Sequence, residues 1–148
     1  MRLTTFTDYS LRVLIYLAAT PDGRATIAGV AEAFDISENH LIKVVHFLGK
    51  AGVLANVRGH GGGLRLAMPA SAINIGAVVR ATEQGDMPAE CFNAEDNACP
   101  ITPNCRLRGI FKEAVRAFYA VLDRYTLEDL ARNRVALSKI LFMPAVSA

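Results

Sequence analysis

No run of apolar residues in this chain approaches the roughly 18 to 20 needed to cross a bilayer; the longest, such as residues 14–19, fall far short. No secretory or transit segment is visible either, so the expectation is a cytoplasmic protein with no membrane partner. Cysteine is absent outside a fifteen-residue window and numbers three: Cys91, Cys99 and Cys105, spaced C-x7-C-x5-C. An odd, clustered count reads poorly as a disulfide framework, because disulfides pair evenly and belong to oxidising compartments. Residues 82–104 hold Glu83, Asp86, Glu90, Glu95 and Asp96 without one Lys or Arg. That stretch cannot pair its charges internally, and a cation such as iron would help order it. The glycine-rich run at residues 59–63 lacks a following Lys-Ser/Thr and leads into a strand pattern, which argues against a phosphate-binding loop. No internal repeat or low-complexity tract occurs.

The 148 residues suit one domain, or a small domain with an appended element, and leave no room for a second catalytic domain. Hydrophobic residues make up 52% and the mean hydropathy is +0.26, high for a small protein. Some apolar surface is therefore expected to be covered by a second copy of the chain. The net charge of +2 is too small to establish a nucleic-acid partner, so the argument rests on where the charges lie.

Leu11, Leu14, Ile15 and Ala18 recur at helical spacing after Thr5 and Asp8, until Pro21-Asp22-Gly23 forces a turn. Thr26 caps a short second helix carrying Ile27, Val30, Ala31 and Phe34 to about Asp35. Ser37 caps a third, with Leu41, Val44, Val45 and Leu48 inward and Gly52 at its end. Asn39, His40, Lys43, His46 and Lys50 then face solvent, the pattern of a helix-turn-helix. Two alternating stretches, residues 53–58 and 64–68, flank the glycine-rich tip and form a hairpin; Pro69 stops the second. Helix-turn-helix plus hairpin is a winged helix, in which Arg58 and Arg65 approach the DNA backbone or minor groove. Ile75, Val78 and Val79 mark a further helix to about Thr82. Thr102-Pro103 is read as the entry to a long helix. Its stripe, from Leu107 through Ile110, Phe118 and Val121 to Tyr125, has little domain surface to cover and is assigned to a partner chain. A short helix begins near Thr126, and the tail from Pro144 onward is expected to fray.

The fold expected is mainly α with a small β-hairpin wing. A winged helix-turn-helix occupies residues 1–82, a cysteine loop residues 83–105, and a dimerisation helix with a C-terminal helix residues 106–148. For the thiols, a shared metal or iron-sulfur centre competes with structural zinc, with a disulfide plus one spare thiol, and with unrelated buried cysteines. Spacings of seven and five differ from the C-x2-C pairs common in zinc sites. Placed in the first turn of the long helix, Cys105 would have its thiolate favoured by the helix dipole. Three thiolates leave an iron-sulfur cluster one ligand short. An enzyme using His40, His46 and His60 finds no acidic partner at ligand spacing and no nucleophile motif. A non-regulatory cluster-binding protein is a third reading.

Leu3-Thr4-Thr5-Phe6-Thr7-Asp8-Tyr9, Val57-Arg58-Gly59-His60-Gly61-Gly62-Gly63 and Ile101-Thr102-Pro103-Asn104-Cys105-Arg106-Leu107 together resemble a bacterial family of dimeric winged-helix iron-sulfur regulators. The likeness is to its NsrR-like, nitric-oxide-sensing repressors, and the family also includes IscR-like regulators of redox state or cluster supply. It covers nearly the whole chain. The resemblance implies a homodimer on double-stranded, partly palindromic operator DNA. It also implies an iron-sulfur cluster on Cys91, Cys99 and Cys105, completed by Asp8 of the other subunit, and release of DNA when nitric oxide nitrosylates that cluster. By itself Asp8 reads as a carboxylate favoured at a helix N-terminus. Arg12, one turn on, is placed beside Asp8 or the cluster. IscR-like members carry a His three residues after the third cysteine, where this chain has Arg108; that departure favours 4Fe-4S, with 2Fe-2S as an oxygen-damaged form. The x7 gap is longer than in some relatives. Asn39, His40 and Lys43 are assigned to the major groove, Lys50 to phosphate and Arg58 to the wing contact.

Overall fold

The computed structural model describes residues 2–57, 59, 62–83, 89–93 and 95–142. Arg58, expected at the wing, and the tail from Pro144 lie outside the described residues. Among the described residues, seven α-helices and one two-stranded antiparallel hairpin are arranged around a single core, and no helix is long and apolar enough to cross a membrane.

The first helix, α1 (Thr5–Ala19), is the centre of that core. Thr4 caps it, its hydroxyl accepting from the Thr7 amide at 3.2 Å. Val13, Leu14 and Ala19 are fully buried and Leu17 nearly so. Of the expected stripe, Leu14 is fully buried while Leu11, Ile15 and Ala18 are partly buried, and α1 is enclosed around most of its circumference. That enclosure takes in two polar residues, Thr7 and Ser10, each fully buried and hydrogen-bonded, to Thr82 at 2.8 Å and to the Phe6 carbonyl at 2.7 Å.

Helix α2 (Ile27–Phe34) is capped by Thr26 and ends at Asp35, which adopts the left-handed conformation with φ 51°. Aspartate tolerates that region better than most residues, and the Ile36 amide closes the turn onto the Ala31 carbonyl at 3.0 Å. Helix α3 (Glu38–Lys50) follows at once. Its N-cap residue is Ser37, without a side-chain cap bond, and it ends at Gly52, whose φ of 73° suits glycine. Leu41, Val44, Val45 and Leu48 are buried as the periodicity predicts. Strands β1 (Leu54–Val57) and β2 (Gly63–Leu66) pair with Leu54 opposite Leu66. The loop before α2 joins this hairpin: Ala25 and Leu64 exchange backbone bonds of 3.0 and 2.7 Å. A Cβ at position 63 would collide with the Ala25 carbonyl, so this close approach requires Gly63.

After a 3₁₀ turn begun at Pro69, α4 (Ile75–Glu83) returns along α1. Pro103 does not open the long helix. It lies within a separate 3₁₀ turn, Thr102–Asn104, and α5 (Arg106–Leu122) starts after Cys105, which is therefore the N-cap and not part of the first turn. Its C-terminal end is fastened to α4: Arg80 donates to both Asp123 carboxylate oxygens at 2.7 and 2.5 Å and lies 4.6 Å over the Tyr119 ring. These hydrogen bonds hold the Asp123 carboxyl below the usual carboxylate range. Helix α6 (Leu127–Leu130) begins with a capping box between Thr126 and Asp129 and buries Leu127 completely.

Helix α7 (Arg134–Phe142) has no counterpart among the elements expected from the sequence pattern. It docks on the end of α1. The Arg134 guanidinium donates to the carbonyls of Ala19, Thr20 and Pro21 at 3.4, 2.5 and 3.0 Å, and the Ser138 hydroxyl donates to Ala19 at 2.9 Å. These bonds satisfy carbonyls that a helix end leaves without partners and place a cation at its negative pole.

Candidate functional site

Burying Leu41, Val44, Val45 and Leu48 turns the opposite side of α3 to solvent. Asn39, His40, Lys43, His46 and Lys50 are all exposed there, as is Arg65 on β2. This is a polar and cationic helix face beside a hairpin, the arrangement that enters a major groove with the wing alongside. Sequence reasoning missed Ile42, which is 50% exposed. It belongs to the same face, three residues after Asn39 and four before His46. The signal was present: an isoleucine out of phase with the buried stripe, among polar neighbours.

Helix α1 touches both helices of this unit. The Arg12 guanidinium pairs with Asp8 at 2.8 Å, as the i, i+4 spacing anticipates, and lies 6.0 Å from the Tyr9 ring centroid and 5.7 Å from that of Phe34. Phe34 ends α2. Tyr9 in turn lies 6.2 Å from the ring of His40, in the first turn of α3. Both members of the Asp8–Arg12 pair are nearly half exposed, so the pair itself adds little stability and Asp8 remains open to another partner.

All three cysteines are free thiols of intermediate burial. Cys91 lies in a 3₁₀ turn, Glu90–Phe92. Around Cys99, Asn97 organises a tight turn, its Oδ1 accepting from the Cys99 amide at 3.2 Å and the Thr102 hydroxyl at 3.2 Å. Cys105 borders a cavity of about 380 Å³ together with Phe92, Arg108 and Lys112, and the Arg108 guanidinium lies 5.9 Å from the Phe92 ring centroid. Soft thiols, one at a helix N-terminus with cations nearby and no acid in the first turn, are suitable donors for iron. Among the described residues, however, no three His, Cys, Asp or Glu side chains are grouped so as to hold a metal ion. The single chain supplies the donors without gathering them at one point. It brings Asp8 to Arg12, and the exposed polar residues of α3 to one face.

Comparison with known proteins bears on both features. The Rrf2 family profile, described as iron-dependent transcriptional regulator, matches residues 3–133. The HTH-type transcriptional regulator NsrR of Bacillus subtilis (strain 168) is 50% identical over 144 residues, 97% of this chain and 99% of its own length. That of Geobacillus kaustophilus (strain HTA426) is 49% identical over 142 residues, covering 95% and 97%. Among solved structures, CymR of B. subtilis, described as the global cysteine regulator, superposes with a TM-score of 0.68 at 31% identity, covering 90% of this chain and 98% of that one. T. potens IscR has a TM-score of 0.71 at 22% identity, covering 90% and 88%, a likeness of fold.

Proposed function

As the chain belongs to the Rrf2 family of iron-dependent transcriptional regulators, we propose that it is a repressor that binds operator DNA as a homodimer and releases it in response to nitric oxide. The observation that carries this reading is identity of about one half, end to end, with regulators named NsrR. Cys91, Cys99 and Cys105 would hold a 4Fe-4S cluster, with the partner subunit's Asp8 as its fourth ligand. When bound, the cluster supplies iron that nitric oxide attacks. Arg108, at the place of the ligating histidine of IscR-like relatives, has no free electron pair for iron and supports the carboxylate-completed set.

The chain's own residues then account for DNA release. Asp8 has two partners to choose between, iron across the dimer or Arg12 on its own helix. In the Arg12-paired arrangement the guanidinium rests on Tyr9 and Phe34. A turn of α1 that moves with Asp8 therefore displaces side chains touching the end of α2 and the start of α3. Two α3 helices must match half-sites about 34 to 36 Å apart, so a small rotation of each costs affinity on both half-sites together.

Dimerisation is supported by part of the α5 stripe: Phe118 and Leu122 pack against the core of their own chain, whereas Leu107, Ile110 and Val121 are 52%, 60% and 45% exposed. Arg65, with Arg58, is assigned to the wing contact, Asn39, His40 and Lys43 to the groove, and Lys50 to phosphate. The test is anaerobic purification, iron and sulfide analysis, and footprinting with and without nitric oxide. Iron-loaded protein should protect a symmetric site and lose it on nitric-oxide addition. A Cys91→Ala, Cys99→Ala, Cys105→Ala variant that binds the same site as tightly, and still releases it, would reject the cysteines as the sensor.

A further inference from the structure

Glu83, the last residue of α4, is only 9% exposed and lies against the start of α1, 79 residues earlier. Its Oε1 accepts from the Thr4 amide at 2.9 Å and from the Thr4 hydroxyl at 3.0 Å. Thr4 is the residue on which α1 is built. Its hydroxyl accepts from the Thr7 amide at 3.2 Å, and its carbonyl accepts from the Asp8 amide at 3.0 Å. Beside this contact the buried Thr7 and Thr82 hydroxyls are joined at 2.8 Å. Two consecutive residues of α4 therefore hold the N-cap residue of α1 and one residue of its first turn. In the sequence, Glu83 directly precedes the segment that carries Cys91, eight residues further on.

We propose that Glu83 is a positioning residue that clamps the Asp8-bearing turn of α1 to the stem of the cysteine segment, so that a change in that segment is transmitted to α1 through this carboxylate. The inference rests on the reading of Asp8 and the cysteines as parts of one sensing site. A carboxylate suits the place for two reasons. It accepts several hydrogen bonds at once, and it sits where the free N–H groups of a helix N-terminus favour negative charge. Burial pushes the Glu83 carboxyl up, but the hydrogen-bond donors around it outweigh burial and hold the group below its ordinary range, so it is charged at neutral pH. Asp8 itself is nearly half exposed and, among the described residues, pairs with Arg12. Removing Glu83 leaves the turn attached by the Thr7–Thr82 bond alone among these polar contacts.

Full-length Glu83→Ala and Glu83→Gln are compared with wild type. In iron-free protein, amide hydrogen exchange at Asp8 should rise about ten-fold or more in Glu83→Ala, because the half-buried Thr4 donors lose their acceptor. Glu83→Gln should stay within about three-fold of wild type, since its amide oxygen still accepts both bonds. In protein reconstituted anaerobically with ferrous iron and sulfide, Glu83→Ala should alter the visible circular dichroism and Glu83→Gln should restore it. Unchanged Asp8 exchange in Glu83→Ala overturns the clamp. Faster exchange with unaltered visible dichroism overturns its link to the cysteine segment. Wild-type protein that takes up no iron sinks the sensing-site reading, a result separate from the exchange measurement, which still decides the clamp. If Glu83→Ala does not fold, Glu83→Asp, one methylene too short to reach Thr4, is read in the same way.

Discussion

The Tyr9 ring, on α1, lies 6.2 Å from the imidazole of His40, on α3, tilted by 43°. An aromatic pair at this separation contributes about 0.5 to 1.5 kcal/mol beyond area burial. It joins the helix that carries Asp8 to α3, the helix proposed to enter the major groove. Tyr9→Ala should therefore weaken operator binding by about 1 kcal/mol, roughly five-fold, whereas Tyr9→Phe keeps the ring and should bind as wild type. Fluorescence anisotropy on a selected duplex measures both; equal affinity for Tyr9→Ala would show that the pair plays no part in orienting α3.

Ile42 presents an exposed branched side chain on the polar, solvent-facing side of α3. Truncation to Ala should cost about 1 kcal/mol on the operator if a thymine methyl group covers it. Replacing that thymine by deoxyuridine should cost the same, and the two changes together should cost no more than either alone. Additive losses would place Ile42 elsewhere.

Lys50 is exposed at the last position of α3. Lys50→Ala should weaken specific and non-specific DNA binding alike and reduce the salt slope by about 2 per dimer, near 0.9 for each phosphate that is no longer neutralised. Asn39→Ala should instead relax base preference at one position in each half-site, at about 1 to 3 kcal/mol, with the slope unchanged. Titrations over a range of salt concentrations distinguish the two roles.

Ile110 is 60% exposed on α5 and makes no contribution to the core of its own chain. Ile110→Glu should leave the helical circular dichroism unchanged and convert the dimer to monomer, since it puts an unpaired charge into the face assigned to the second copy. Light scattering reads the mass directly. A dimer that persists with the dichroism intact would move the interface away from this stripe.

Glu83, Asp123 and Asp129 all have carboxyls held below their ordinary range. At Glu83 burial opposes the shift and hydrogen bonds overcome it; at Asp123 the cause is Arg80; at Asp129 it is the Thr126 amide and hydroxyl. A depressed folded-state value means that the unfolded chain binds protons more readily. The stabilisation is then fully present above the unfolded carboxylate values, near 4, and is lost as pH falls through the folded ones. The urea midpoint of iron-free protein should be flat in these terms from about pH 7 to 5 and fall below about pH 4. Asp129→Asn should flatten part of that fall; an unaltered acid limb would assign it to other carboxylates.

The helix-turn-helix was legible because each of its signals is local. Four apolar residues at helical spacing on α3 specify which side is buried, and the DNA-facing residues are what remains. The hairpin was legible for the same reason, through alternation and glycine. Cys105 is the N-cap of α5 and not a residue of its first turn, since Thr102-Pro103 serves a 3₁₀ turn as readily as an α-helix, and only the backbone bond from the Cys105 amide to the Thr102 carbonyl shows which turn forms. Helix α7 was not legible because Val135 and Ile140 do not form a buried stripe. Its docking depends on Arg134, whose acceptors lie more than a hundred residues away.

What the chain's order of residues determined alone was most of the local elements, α7 and the start of α5 excepted, and the inventory of donors: three thiols, one carboxylate at the start of a helix, a cationic helix face and a hairpin. Which of these touch was decided only in three dimensions. Placing α1 through the middle of the core sets Tyr9 against His40 and Thr4 against Glu83, contacts between residues 31 and 79 positions apart. No periodicity encodes such contacts, because they arise from how whole helices pack and from buried polar groups finding partners, and these are properties of the assembled fold.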